Sequence, residues 1–380
     1  MTEKNPDDIW EYFLGKDPRT PALPDYYSNY FDYSFDRTQG DARYIGLRIT
    51  GEFGYARYMS YNVYDAEEGA SFGALTDFQI NPLPGNINPF LAGSDDKAKN
   101  RSYTVTVLPE SYSSRRAENQ LTYDGSAVNV LAVIIRYYVP QDSVTAHVPL
   151  PTIEAFDLRT QQSVTLPQPY RLRGSMPKAV LSLRLAPVFK TVVDDTLRFY
   201  RASGAGQFEN ADNIYLINAV EQGEDAVLLI RIKPPSYPAN NDQFGETDVR
   251  YWSFNEGDAD TSTPFGMKDE QFKAAKDGFV YIAIGNESIC SKAEERGYNF
   301  MPWKAERTKA VILYRNMLTN RRYAGNLMRV PIIEPKDLLN KQNLYDMDAK
   351  NYIGDYAPTG KKVSQALFML GKHEIVSPGF

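Results

Sequence analysis

Ala56-Arg57-Tyr58-Met59-Ser60-Tyr61-Asn62 reads almost the same as Val249-Arg250-Tyr251-Trp252-Ser253-Phe254-Asn255. The neighbours of these two stretches recur in the same order. Upstream, Gln39-Gly40-Asp41-Ala42 and Leu47-Arg48-Ile49 answer to Gln222-Gly223-Glu224-Asp225-Ala226 and Ile230-Arg231-Ile232. Downstream, Asp77-Phe78-Gln79 answers to Asp269-Glu270-Gln271. Tyr103-Thr104-Val105-Thr106-Val107 then answers to Tyr281-Ile282-Ala283-Ile284, and Val133-Ile134-Ile135-Arg136 to Ile312-Leu313-Tyr314-Arg315. Blocks that keep their order while their spacing drifts indicate an internal repeat, here two diverged modules of roughly 150 residues each.

Most of the repeated blocks have strand character. Residues 103–107 alternate aromatic or aliphatic side chains with threonine, the period of a half-buried strand. Residues 130–138 are almost continuously apolar, as in a central strand buried on both faces. Short strands separated by Gly, Pro, Asn and Asp predict a mainly β chain of two tandem, related sandwich or jelly-roll modules with a few short helices. The expected division is an N-terminal segment at 1–40 packing on module one, a first module at 41–186, a second at 187–335, and a C-terminal extension at 336–380. A helix is predicted to lead the second module at 188–201, stopped by Ser203-Gly204-Ala205-Gly206. Weaker helical patterns lie at 8–13 and 364–370.

The second half also resembles a bacterial family known as a domain of unknown function, DUF twelve-fourteen. The residues that carry the resemblance are Arg250-Tyr251-Trp252-Ser253-Phe254, Asp277-Gly278-Phe279-Val280-Tyr281-Ile282, Asn299-Phe300-Met301-Pro302-Trp303, Leu313-Tyr314-Arg315 and Val330-Pro331. Phe300 stands where the family pattern usually has Trp. The resemblance implies β-sandwich domains, often paired with a second related domain, and supplies no catalytic residues. Members often carry export signals, and no such segment is seen here.

Composition narrows the chemistry. Hydrophobic residues make up 42% of the 380, aromatics 13%, and there are 27 tyrosines. Such a chain supports a large core, with tyrosines on pleated surfaces or lining pockets. The net charge is −6 and the basic residues are scattered, which argues against a nucleic-acid partner. One cysteine, Cys290, permits no intrachain disulfide. With no apolar signal core or membrane-length stretch, the expectation is a cytoplasmic protein without membrane contact. The two histidines, His147 and His373, have no second ligand at metal spacing, so no metal or redox cofactor is expected. There is no Gly-x-Ser-x-Gly elbow and no dinucleotide loop.

The candidate site residues come from polar positions in this β framework. In a strand, Arg57, Met59 and Tyr61 face one way and Tyr58, Ser60 and Asn62 the other; Arg250, Trp252 and Phe254 oppose Tyr251, Ser253 and Asn255. Arg57, Tyr58, Asp77, Arg250 and Tyr251 are the candidate acid, base and charge-stabilising groups. Asn62, Asn86, Asn88, Phe90, Trp252, Asn255, Asn299 and Trp303 are the candidate ligand contacts. Persistence of a residue in both halves favours a role in holding each module together. The unrepeated 81–90 loop and the aromatic rim at 298–303 are therefore the more informative places for function. Arg48, Arg231, Arg136 and Arg315 lie inside apolar strands and require an acid such as Asp77 or Asp269; these pairs are expected to be structural, and the functional alternative is an anion or carboxylate clamp.

The functional expectation is a pocket between the modules or at a sandwich end, lined by Tyr, Trp, Asn and Arg. It would bind a small, partly apolar molecule and allow acid–base chemistry of the lyase, isomerase or cyclase type. A carbohydrate-binding or carbohydrate-active sandwich is the first alternative. A non-catalytic interaction protein, possible as a homo-oligomer, is the second.

Overall fold

The computed structural model describes residues 9–114, 117–172, 194–202, 208–221, 225–258, 261–304, 309–334 and 336–371. The first half contains strands β1 (Glu11–Leu14), β2 (Ser28–Asp36), β3 (Ile45–Glu52), β4 (Tyr58–Asp65), β5 (Ser71–Thr76), β6 (Ser102–Pro109), β7 (Gln120–Tyr123), β8 (Val130–Tyr138), β9 (Thr152–Asp157) and β10 (Ser163–Val164). They form two five-stranded sheets, in the orders β1-β2-β8-β4-β5 and β10-β9-β3-β6-β7. The inward side chains of both sheets close one core. Phe31, Tyr33, Met59, Tyr61, Val133 and Ile135 from the first sheet meet Leu47, Ile49, Tyr103 and Val105 from the second.

The second half repeats the plan with β11 (Thr196–Leu197), β12 (Arg201–Ala202), β13 (Asn213–Glu221), β14 (Ala226–Ile232), β15 (Tyr251–Asp258), β16 (Phe265–Lys268), β17 (Val280–Gly285), β18 (Asn299–Pro302), β19 (Lys309–Met317), β20 (Ile332–Ile333) and β21 (Thr359–Ser364). Its sheets run β13-β19-β15-β16 and β11-β21-β14-β17-β18. The order β2-β8-β4-β5 is thus the order β13-β19-β15-β16, and β9-β3-β6-β7 is β21-β14-β17-β18. Even the parallel last pair, β6 with β7 and β17 with β18, recurs. The chain is mainly β and made of two tandem related sandwiches, as the sequence predicts.

The hydrogen-bonded ladders correct several details. Ser60 pairs with Arg136 and Ser253 with Arg315, so the matches of β4 to β15 and of β8 to β19 hold residue by residue. The ladder instead aligns Val105 with Ile282, because Asn119 and Asn299 clamp the same neighbouring carbonyls, those of Thr104 and Tyr281. The sequence match of Tyr103 to Tyr281 is therefore out by one, which is why Tyr103 is buried and Tyr281 only half-buried. A one-residue slip exchanges the faces of a strand.

The expected boundaries also move. Ser28–Asp36 is no outer packing segment; it sits inside the first sheet between β1 and β8. Likewise Thr359–Ser364 lies between β11 and β14, so the 336–380 region completes the second sandwich. The helical pattern at 8–13 gives way to β1, whose residues pair with β2. Within 188–201, Thr196–Leu197 pairs with β21 and Arg201 with Ile332; the remainder up to 193 and the glycines at 204 and 206 lie outside the described residues. The pattern at 364–370 does give a helix, Gln365–Leu370, with Ser364 as its cap and Gly371 in the left-handed region at its end. Cys290 opens the helix Cys290–Glu295 and is half-buried. Among the described residues no helix is long and apolar enough to cross a membrane.

One buried carboxylate gives a pH dependence. Asp32 is 1% exposed and accepts the Ser34 hydroxyl. Burial pushes its carboxyl well above the usual carboxylate range, and the Ser34 bond offsets this only in part. The folded state therefore holds this proton more tightly than the unfolded chain. Stability falls as pH rises from about 4 toward the folded pKa, by up to about 1.4 kcal/mol per pH unit. Asp32→Asn removes that slope: in urea denaturation at pH 4, 6 and 8, the variant gains on the wild type as pH rises. Parallel curves at all three values would show an ionised Asp32 in the fold.

Candidate functional site

The outer faces of the two first-named sheets, β2-β8-β4 and β13-β19-β15, turn toward each other, and the contacts between them are reciprocal. Arg57 of module one donates to Asp269 of module two at 2.6 Å, while Arg250 donates to Asp77 at 2.6 Å. Asp77 also accepts the Met59 and Phe78 backbone N–H groups, and Asp269 those of Trp252 and Glu270. Each carboxylate thus ties its own strand to the other module's arginine. Burial raises both carboxyls above their usual range, and the facing guanidinium pulls each back down.

The tyrosines follow the same symmetry. Tyr58 donates to Asn210 and Asp212, and Tyr251 donates to Asp25. The rings of Tyr58, Tyr138 and Tyr251 pack edge to face across the joint, with centroids 5.5 and 5.7 Å apart. Burial lifts all three hydroxyls well above the ordinary tyrosine range, so they remain donors.

Beside this aromatic cluster lies a cavity of about 100 Å³, room for roughly half a dozen waters or a small organic group. Its walls are Phe13, Ile134, Leu172 and Leu313, with Tyr30, Tyr138 and Tyr215. Arg136 and Arg315 enter it from β8 and β19. Each occupies the ladder position facing a tyrosine, Tyr30 or Tyr215. Arg136 donates Nη2 to the Phe208 carbonyl, and Arg315 donates Nη2 to that of Leu23. Leu23 and Phe208 both have positive φ, 49° and 57°, an arrangement costly for non-glycine residues. The strained backbone presents two carbonyls to two arginines across the joint. Both Nη1 atoms remain buried with no hydrogen-bond partner among the described residues.

The arginine partners expected from sequence are therefore reassigned. Asp77 and Asp269 pair with Arg250 and Arg57, not with the strand arginines. Arg48 and Arg231 lie outside the core and pair with Glu154 and Asp355. Arg136 and Arg315 take carbonyls, and Arg315 approaches Asp25 at 4.0 Å. The odd-and-even division of the Arg-Tyr strands does hold. Met59, Tyr61, Trp252 and Phe254 enter the sandwich cores, and Tyr58 and Tyr251 the joint.

The structure brings Tyr58, Tyr251, Asn62 and Asn255 to the outer sheet faces near the cavity, but as bonded struts. Asn62 and Asn255 donate to Ser60 and Ser253, and Asn255 also to Asp25. The other expected contacts are elsewhere and are structural. Asn88 donates to the Asp77 and Ile80 carbonyls and accepts the Phe90 N–H, holding the 81–90 turn, while Phe90 is in the core. Asn86 bonds Pro84 and Ser102. Asn299 joins Lys273 to Tyr281, and Trp252 and Trp303 pack in or on the second core. Proline and asparagine at 81–90 shape the turn that Asn88 holds, and Phe90 at its end also lines the grooves beside it.

A larger groove of about 440 Å³ lies between loops of the two modules and takes in Arg57 and Arg101. Arg57 is spoken for by Asp269 and Glu270, and Arg101 by the carbonyls of Phe53, Asp96 and Ala98. Unlike that groove, the joint cavity is entered by guanidinium donors that have no hydrogen-bond partner among the described residues. Sequence reading missed Asp25, Asn210, Tyr30 and Tyr215 there. Tyr30 and Tyr215 are the ladder partners of the repeated arginines, visible only once register is known, and Asp25 and Asn210 lie five residues before them, outside the strands.

The chain shares its fold with a solved structure of an uncharacterized protein from Burkholderia cenocepacia. That match is 13% identical, covers 96% of this chain and 85% of the other, and has a TM-score of 0.57. A Vibrio parahaemolyticus protein is 10% identical over 89% of each chain, with a TM-score of 0.39. No family model matches the chain, and no curated protein matches it.

Proposed function

We propose that the protein binds a small, partly apolar molecule in the cavity at the joint of its two modules. The observation that carries this reading is the pair of buried Nη1 atoms, on Arg136 and Arg315, that enter the cavity without a hydrogen-bond partner among the described residues; Arg315 Nη1 has Asp25 at 4.0 Å, and Arg136 Nη1 has no carboxylate paired with it. A buried guanidinium donor left unbonded costs on the order of 1–3 kcal/mol or more, a cost that a ligand or ordered water in the cavity would relieve. Apolar walls with a few convergent polar groups are the general pattern of small-molecule sites. Asp25, Glu209 and Tyr138 line the same space and are the acids and bases available for a proton transfer of the lyase or isomerase type.

Filling the cavity tests the reading. Leu313 is 1% exposed and forms part of the wall, so Leu313→Trp occupies the space at a cost of about 1–3 kcal/mol. Native mass spectrometry of protein purified under mild conditions is expected to show a small-molecule adduct on the wild type, absent from a folded Leu313→Trp variant. An adduct of the same mass and abundance on both proteins, or none on either, would remove the cavity from the account.

A further inference from the structure

The two ends of the cavity are alike in geometry and differ in charge. Counting from the tyrosine opposite each arginine, Asp25 and Asn210 hold equivalent places. The Asp25 N–C turn is repeated at Asn210: Tyr27 N–H donates to Asp25 Oδ1 and Asp212 N–H to Asn210 Oδ1. The same two oxygens accept the Tyr251 and Tyr58 hydroxyls. The second atom of each side chain is the difference. Asp25 Oδ2 accepts Ser253 and lies 4.0 Å from Arg315 Nη1. Its counterpart is Asn210 Nδ2, and the backbone donor on Oδ1 fixes that orientation of the amide.

Arg315 therefore has an acid close by, and Arg136 has an amide in that acid's place. Arg136 is 2% exposed, and among the described residues no carboxylate pairs with it. Tyr30 and Tyr64 stack near its guanidinium, 5.5 and 5.3 Å from the ring centroids, and do not neutralise it. Asn210 is 7% exposed, and its Nδ2, like Arg136 Nη1, has no hydrogen-bond acceptor among the described residues. Two buried donors and an uncompensated positive charge thus line one cavity. Buried charges are ordinarily paired. The cavity's exposed acid, Glu209, accepts the Tyr215 hydroxyl. Asn213 Oδ1, also without a hydrogen-bond partner among the described residues, adds one acceptor to the lining.

Resting on the cavity reading above, we infer that the ligand is a small organic acid whose carboxylate is held by Arg136 Nη1 and Asn210 Nδ2. The ligand supplies the anion that Asp25 supplies at the other end. Its body lies along Ile134 and Leu313 toward Arg315, and Asn213 accepts a hydroxyl or amine where the acid carries one. The amide at 210 keeps the site open, since an aspartate there would satisfy Arg136 from within.

Benzoate and benzamide, equal in shape and different in charge, are the probes, titrated calorimetrically against the full chain. Benzoate is expected to bind at least about 10-fold more tightly than benzamide. That preference vanishes in Arg136→Met and in Asn210→Asp, and Asn210→Asp also raises the melting temperature. If either variant fails to fold by circular dichroism, the other decides. Equal binding of both probes, abolished by Leu313→Trp, would overturn the carboxylate inference and leave the cavity reading standing. Chloride protecting against thermal unfolding as well as benzoate does would also overturn it, as would no binding of either probe. In that last case the adduct measurement on the cavity-filled variant separately decides the cavity reading.

Discussion

Arg250→Met is expected to lower the stability of the whole chain by about 3–5 kcal/mol, the range found when one partner of a buried ion pair is removed. Asp77, with a fully buried side chain, would keep two backbone N–H donors and lose its only ion-pair partner among the described residues. Burial already raises this carboxyl, so the variant is expected to take up a proton on folding and to be least stable at alkaline pH. Arg250→Lys retains the charge but not the planar donor or its stacking on Phe244, 4.1 Å from the ring centroid, and falls between the two. Urea denaturation across pH 5 to 9 measures all three. A loss below about 1 kcal/mol would class the contact with surface pairs.

The second large effect is expected at the aromatic joint. Tyr138 is 2% exposed and touches Tyr58 of its own module and Tyr251 of the other. Truncation to alanine costs about 3–5 kcal/mol through lost burial and the cavity left behind. Tyr251→Ala removes the other side of the same contact. The double variant is therefore expected to be less damaged than the sum of the singles, with a coupling of about 0.5–1.5 kcal/mol. Strict additivity would mean that the rings do not support each other across the joint.

Much of the fold was legible because strand period and repeat order are local signals. Residues 130–138 announce a central strand by having no polar face, and all nine are buried. What the pattern does not carry is why both faces of such a strand are apolar. One face of β8 enters its own sandwich and the other meets the second module, and alternation cannot tell those apart. Pairing was the harder part. Arg57 and Asp269 are 212 positions apart, Arg250 and Asp77 173, and a reciprocal exchange between modules leaves no trace in spacing. The repeated residues were expected to hold each module together, whereas Arg57 and Arg250 bond across the joint to Asp269 and Asp77. The joint then turned that expectation around for Arg136 and Arg315, which are repeated yet incompletely bonded. There the informative difference is one residue, Asp25 against Asn210, and it becomes visible only when the ladders superpose the two halves.

In the described part of the helix expected at 188–201, from residue 194 on, partners decide the outcome: Leu197 pairs with Gly360, from a segment that sequence reading had set aside as an extension. Tertiary pairing overrides local propensity in such short pieces.

The claim on which the account turns is that a carboxylate sits between the modules against Arg136. A crystal of the full chain grown with 4-bromobenzoate, measured at the bromine absorption edge, tests it most directly. One anomalous peak is expected inside the cavity walled by Ile134 and Leu313, with the carboxylate density on Arg136 and Asn210. Bromine found only in surface grooves, with Arg136 Nη1 bonded to ordered water alone, would contradict it.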